Sequence, residues 1–140
     1  MTLTDTLSTQ HRLLEQLAGE MHVALKANDA AKASEVLTKF RDALMAHLKL
    51  ESASFYPPML QLAGKPGNEA KLRTIQLFAD NMKIIAGGLT TFFDRYVGKP
   101  LELNAFRNDW GTSLKILAQR IESEESTLHP LFEQLQKAAA

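Results

Sequence analysis

The sequence predicts an all-α protein, an antiparallel up-down four-helix bundle. The helix-favouring residues Ala, Leu, Lys, Glu and Gln are abundant, whereas Gly and Pro gather at a few positions that divide the chain. Four amphipathic segments with short connections lie between those positions, as in helix bundles. At 140 residues the chain suits one core, so we expect a single domain over 1–140.

The first two helices are predicted on either side of Asn28-Asp29. The first runs from about Thr2 to Lys26, with Thr2 or Thr4 as its N-cap. Its apolar residues recur at steps of three and four, namely Leu3, Leu7, Leu14, Ala18, Met21 and Leu25. We expect the second helix to end or kink at Pro57-Pro58, because proline cannot donate the next helical hydrogen bond. Its apolar face consists of Leu37, Phe40, Leu44, Leu48 and Phe55.

The third and fourth helices are predicted on either side of Gly98-Lys99-Pro100. The third runs from about Asn68 to Val97, and its apolar stripe consists of Leu72, Ile75, Ala79, Met82, Ala86, Leu89 and Phe93. The fourth begins at Leu101 and runs to near the C-terminus, with a kink expected at Pro130. Its stripe consists of Phe106, Trp110, Leu114, Leu117, Ile121 and Leu128.

The composition excludes several classes of function. Sixteen Lys+Arg balance sixteen Asp+Glu, so we expect neither nucleic acid nor an anionic membrane as a partner. Without cysteine there is no disulfide and no thiolate metal site, and any metal must have nitrogen and oxygen ligands. The uncharged stretches 52–64 and 84–93 are both well short of the roughly 20 apolar residues of a membrane span. The N-terminus MTLTDTLSTQH lacks the features of a signal peptide, so we expect a cytoplasmic protein.

An internal repeat lies within the second and fourth helices. A shift of 73 residues aligns HLKLESASFYP with RIESEESTLHP. The shift pairs His47 with Arg120 and Glu51 with Glu124, and both segments end in proline. Each segment therefore carries a basic or imidazole residue, a glutamate four positions later, and a proline six positions beyond that.

On a helical wheel both glutamates point into the bundle. At about 100° per residue, Glu51 lies about 30 to 40° from the centre of its apolar stripe and His47 about 75°. Glu124 and Arg120 fall at nearly the same offsets in their own helix. A carboxylate in a bundle core is costly unless a metal, a cation or hydrogen bonds compensate it. His11, near the edge of the first apolar stripe, is a candidate third ligand for a non-haem iron site with His47 and Glu51.

These features resemble the hemerythrin-like (HHE) domain over nearly the full length of the chain. That family has a His on the first helix, HxxxE and then an aromatic-Pro step on the second, a His on the third, and HxxxE or HxxxD on the fourth. The matching residues are His11, His47, Glu51, Phe55-Tyr56-Pro57 and Glu124, with Glu125 beside it. The resemblance implies a four-helix bundle with a di-iron centre that binds oxygen or nitric oxide, or that repairs or senses through iron.

Two positions depart from the family pattern. Arg120 stands at the place of the fourth-helix histidine. The third helix contains no histidine, and Asn81 is the nearest candidate for that place. A guanidinium is a poor metal ligand, but it is a fixed cation that pairs well with carboxylates.

Two readings of the site follow. In the first, Arg120 replaces the metal charge and holds Glu51 and Glu124, while His11 and His47 complete a buried hydrogen-bond network. This reading, which we favour, predicts a metal-free binding or regulatory module with a protein partner, and not an enzyme. In the second, the surviving histidines and glutamates hold iron, mono- or dinuclear, or another divalent metal. That reading predicts a protein that senses O2, NO or redox state.

Two further histidines are not expected to belong to the site. His129 and Glu133 form a second HxxxE, but His129 lies roughly 100° from the apolar centre of its helix. His22 lies about 16 Å along the helix axis from His11, too far to share a metal with it.

Overall fold

Four helical rods, packed up and down in turn, build the structure, a computed structural model that describes residues 2–139. The second and fourth rods each contain a five-residue turn with π-helical hydrogen bonding, here named the first and second π turn. The helices are α1 (Leu3–Lys26), α2 (Ala30–Leu50), α3 (Tyr56–Ala63), α4 (Glu69–Tyr96), α5 (Leu103–Ser123) and α6 (His129–Ala139). The first π turn (Glu51–Phe55) joins α2 to α3, and the second (Glu124–Leu128) joins α5 to α6. The predicted all-α bundle is confirmed.

The ends of the first rods follow local capping rules. The Thr2 hydroxyl accepts a hydrogen bond from the Asp5 N–H, and the Asp5 carboxylate accepts one from the Thr2 N–H. Asp29 caps α2 by accepting from the Lys32 N–H. Asn28 precedes it at φ 53°, a left-handed conformation that Asn tolerates better than most residues. The predicted cap Thr2 is therefore confirmed, and Asp29 begins the second helix in the same way.

The prolines explain where the two π turns lie. Pro57 and Pro130 have no N–H, and the ring of each meets the carbonyl four residues back in a regular α-helix. The N–H just before each proline reaches back five residues, from Tyr56 to the Glu51 carbonyl and from His129 to the Glu124 carbonyl. The helices thus continue past both prolines, and α-helical bonding is interrupted one turn earlier than the sequence predicts.

Two apolar clusters fill the bundle and leave a polar layer between them. One cluster is aromatic-rich and contains Phe40, Phe93 and Trp110. The other surrounds Phe55 and Phe132 near the π turns. In the first, second and fourth rods, the residues of this polar layer lie between a residue of one apolar cluster and a residue of the other. Packing on both sides therefore holds them in place. Over residues 2–139, no helix is both long and apolar enough to cross a membrane.

Candidate metal centre

Five ionisable side chains form the polar layer, and all are buried. They are His11 from α1, His47 from α2, Glu51 from the first π turn, Arg120 from α5 and Glu124 from the second π turn. None is more than 5% exposed. Both glutamates point inward, as the helical wheel predicts.

The two imidazoles and the Glu124 carboxylate converge on one point, and Glu51 adjoins it through His47. The His11 Nε2 lies 3.1 Å from the His47 Nε2 and 3.2 Å from the Glu124 Oε1. The His47 Nε2 lies 3.4 Å from the Glu51 Oε1. Ligand atoms of His11, His47 and Glu124 all lie within 4.8 Å of one another. Such spacing lets several of these atoms contact a common ion.

Outer contacts fix the tautomer of both imidazoles. The His47 Nδ1 lies 2.7 Å from the Gln10 Oε1, an amide oxygen that can only accept, so Nδ1 donates. The His11 Nδ1 donates to the Glu125 carboxylate at 2.7 Å, and Arg12 holds that carboxylate from outside. With Nδ1 protonated and the ring neutral, His47 presents an Nε2 lone pair to the centre, the arrangement typical of metal-bound histidines. A protonated His11 donates its Nε2–H to Glu124, and its Nε2 presents the same lone pair once that proton is released.

Glu51 is the unsatisfied member of the layer. Neither carboxylate oxygen has a hydrogen-bond partner among the described residues. Both are buried, and the pKa of Glu51 is raised to about 9 by burial, by the charge of Glu124 and by a hydrogen bond that a protonated Glu51 donates to Glu124. Glu51 borders a cavity of about 10 Å³, also lined by His47, Arg120 and Glu124, which is near the smallest volume that holds one water.

Arg120 neutralises the other glutamate. Its Nε donates to the Glu124 Oε2 at 2.9 Å, and its terminal nitrogens donate to the Tyr56 hydroxyl and, at 3.4 Å, to the Asn81 Oδ1. The guanidinium lies over the Phe78 ring, 4.8 Å from its centroid. Asn81, the candidate for the third-helix histidine place, lies beside Arg120, but no hydrogen bond joins Arg120 to Glu51.

Burial and neighbouring charges shift the pKa values of the polar-layer side chains in different directions. Burial, reinforced by the charge of His11, lowers the pKa of His47 to about 4, so this imidazole is neutral at pH 7. Burial also disfavours the charged form of His11, but hydrogen bonds to Glu124 and Glu125 outweigh it and raise the pKa of His11. Burial opposes ionisation of Glu124, yet its bonds to His11 and Arg120 lower the pKa of that carboxyl overall.

The wheel-based placement of His129 was wrong. His129 is buried, and its ring stacks on His11 with centroids 5.7 Å apart. The second π turn inserts one extra residue, which rotates all later side chains by about 100° and brings His129 inward. Glu133 remains exposed and accepts from Thr4. His22 is exposed, in accord with its exclusion from the site.

Three contributors lie outside the predicted set: Gln10, Tyr56 and His129. The repeat itself carries a signal for two of them, because the shift of 73 residues pairs Tyr56 with His129. Gln10 has no such signal, since its role depends on the rotation of α1 against α2.

The hemerythrin HHE cation binding domain is the family whose model matches the chain, over residues 2–132. The chain belongs to the hemerythrin HHE family. No curated protein and no solved structure gives a significant match.

The donor set of this HHE domain fits one metal ion and not two. Two imidazole Nε2 atoms and one or two carboxylates suit iron, manganese or zinc. The unpartnered oxygens of Glu51 supply the ligand that a first ion requires. Arg120 holds the place of the fourth-helix histidine, and its guanidinium provides no lone pair for a second ion.

Proposed function

We propose that this HHE domain binds a single divalent metal ion, iron in the first place, through His11, His47, Glu51 and Glu124. The observation that carries the proposal is the buried Glu51 carboxylate without a hydrogen-bond partner, 3.4 Å from a histidine Nε2. A buried carboxylate of this kind is costly unless a cation or a proton satisfies it.

The roles of the chain's own residues follow from their contacts. Gln10 and Glu125 orient the two imidazoles by accepting from their Nδ1 atoms. Arg120 contributes the charge that a second ion has in a dinuclear site, and it keeps Glu124 ionised. When bound, an iron ion supplies a one-electron couple and coordination positions for small ligands. These properties suit a sensor of O2, NO or redox state that acts through a protein partner.

Metal content tests the proposal. After anaerobic reconstitution with Fe(II) and desalting, mass spectrometry should find about one ion per chain. Glu51→Ala and His47→Ala should lose the metal while keeping a helical circular-dichroism spectrum. Glu122→Ala and His22→Ala are controls that remove the same residue types at exposed positions, and both should retain it.

A second function is favoured by the Arg120–Glu124 pair. Because this pair satisfies one glutamate without a metal, the domain could instead be a metal-free regulatory module that acts by binding a protein. Absence of metal in the wild type after reconstitution would favour this function. About two ions per chain would contradict both functions, because Arg120 cannot ligate a second ion.

A further inference from the structure

A groove between α4 and α5 leads from solvent to Arg120. Its volume is about 430 Å³. Leu77 and Ile85 form the α4 wall and Ile116 the α5 wall, and two of these side chains are unusually exposed, Leu77 at 70% and Ile116 at 44%. Apolar walls of this kind around a concave surface are typical of ligand sites.

Among the described residues that line this groove, Arg120 is the only one that carries a charge. The side chain is buried, and Phe78, another lining residue, lies under its guanidinium at 4.8 Å. A guanidinium carries five N–H donors, and three acceptors contact this one, on Glu124, Tyr56 and Asn81. Two N–H donors are therefore available to a ligand, on a cation whose position is fixed from several sides.

We propose that the groove binds a small organic carboxylate with an apolar tail. Its carboxylate would accept from the free N–H groups of Arg120, since guanidinium pairs with carboxylates in a planar, directional geometry. Its tail would lie between Leu77, Ile85 and Ile116. The groove volume falls within the range of about 300–1,000 Å³ typical of small-molecule sites. This site goes beyond the proposed metal centre, because neither Glu51 nor Glu124 lines the groove.

Three probe molecules separate the contribution of the ligand's carboxylate head from that of its apolar tail. Hexanoate has both, acetate has the head alone, and 1-hexanol has the tail without the charge. Titrations of the full chain, followed by NMR chemical shifts, should show saturable binding of hexanoate. Its affinity should exceed that of acetate and of 1-hexanol by at least about tenfold. We expect this result both with and without Zn²⁺, so the test does not depend on the proposed metal function.

Substitutions test whether hexanoate binds in the groove. Ile116→Asp sets a negative charge beside the expected carboxylate and removes an apolar wall, so it should weaken hexanoate at least about tenfold. Val23→Asp is the matched control, because Val23 is 67% exposed on α1 and does not line the groove. Arg120→Gln should also weaken binding, and Ile116→Asp carries the test if that variant fails to fold.

Three results would overturn the proposal. They are the lack of saturable hexanoate binding, equal affinity for hexanoate and 1-hexanol, and unchanged binding in Ile116→Asp.

Discussion

The two halves of the repeat share a backbone but differ in chemistry. In each, a π turn begins at a buried glutamate, Glu51 in one half and Glu124 in the other. One turn earlier stands His47 in the first half and Arg120 in the second. Glu124 is paired with Arg120 at 2.9 Å, whereas Glu51 lacks a hydrogen-bond partner in the described part of the chain. The residue one turn before the glutamate, histidine or arginine, thus decides whether the buried carboxylate is left without a hydrogen bond or forms an ion pair.

A buried glutamate can persist in the arginine half without a metal. A buried carboxylate is tolerated when a hydrogen-bonded cation lies against it. Arg120 supplies that cation permanently, and Tyr56 and Asn81 hold it in place. In the histidine half, Glu51 accepts no hydrogen bond from a cation among residues 2–139, so its burial favours a proton or a bound ion.

The largest expected effect comes from removing the cation of the arginine half. Arg120→Met in metal-free protein should lower the free energy of unfolding by about 3–5 kcal/mol, because it leaves Glu124 buried without its partner. Urea denaturation measures the change. Lys115→Met, on an exposed position of the same helix, should alter stability by less than about 0.5 kcal/mol. A similar small loss in both variants would show that Glu124 does not need Arg120.

The sequence predicts which residues line this site better than it predicts which of them form hydrogen bonds with one another. Helical periodicity and the repeat predict the four rods and the inward direction of Glu51 and Glu124. The expectation that Arg120 holds both glutamates is not met, because its hydrogen bonds go to Glu124, Tyr56 and Asn81. Which carboxylate a long side chain reaches depends on the packing of neighbouring helices, and periodicity within one helix does not contain that information.

The π turns are the second feature that the sequence did not specify. A helical wheel assumes a constant 100° per residue, and one inserted residue breaks that assumption for everything downstream. Proline marks the vicinity of the interruption, but either a kink or a π turn can accommodate it. This ambiguity explains why positions up to Glu124 were placed correctly and His129 was not.

A second prediction concerns the outer contacts of the histidine half. Gln10→Ala removes the acceptor that orients His47, so metal affinity should fall by about 10- to 100-fold. Competition with a chromophoric chelator measures the affinity. Gln16→Ala, at an exposed position of the same helix, should leave it unchanged. An unchanged affinity in Gln10→Ala would mean that packing alone orients the ring.

A third prediction concerns pH in the metal-free protein. The pKa of Glu51 is raised from 4.5 to about 9 by burial and by Glu124, so the folded state holds a proton that the unfolded state has released. The resulting stability is complete below pH 4.5 and is lost as pH rises toward 9, by up to about 1.4 kcal/mol per pH unit. Glu51→Gln should remove this loss.

The comparison is best made between pH 6.5 and 9. The pKa of His47 is lowered to about 4, so its opposite contribution to stability changes only below its ordinary value of 6.5. The pKa of His11 is raised, so its stabilising contribution is lost as pH rises above 6.5 in both proteins, and the difference between the two curves reports Glu51. Glu122→Gln, at an exposed glutamate of α5, should keep the wild-type pH dependence. Parallel curves for wild type and Glu51→Gln would show that Glu51 is already ionised in the folded protein.

The smallest effect is expected at His129, which follows the second π turn as Tyr56 follows the first. The Tyr56 hydroxyl accepts from Arg120, so Tyr56→Phe should cost about 1.5–3 kcal/mol, the usual range for a hydrogen bond to a charged group.

His129 has a buried Nε2 with no acceptor or donor near it in residues 2–139. Its other nitrogen has only a long contact of 3.5 Å with the Ser8 hydroxyl. His129→Phe should therefore change the free energy of unfolding by less than about 1 kcal/mol, since an apolar ring removes an unsatisfied polar atom. If His129→Phe instead costs as much as Tyr56→Phe, and does so only in metal-loaded protein, the imidazole carried inward by the π turn takes part in holding the ion.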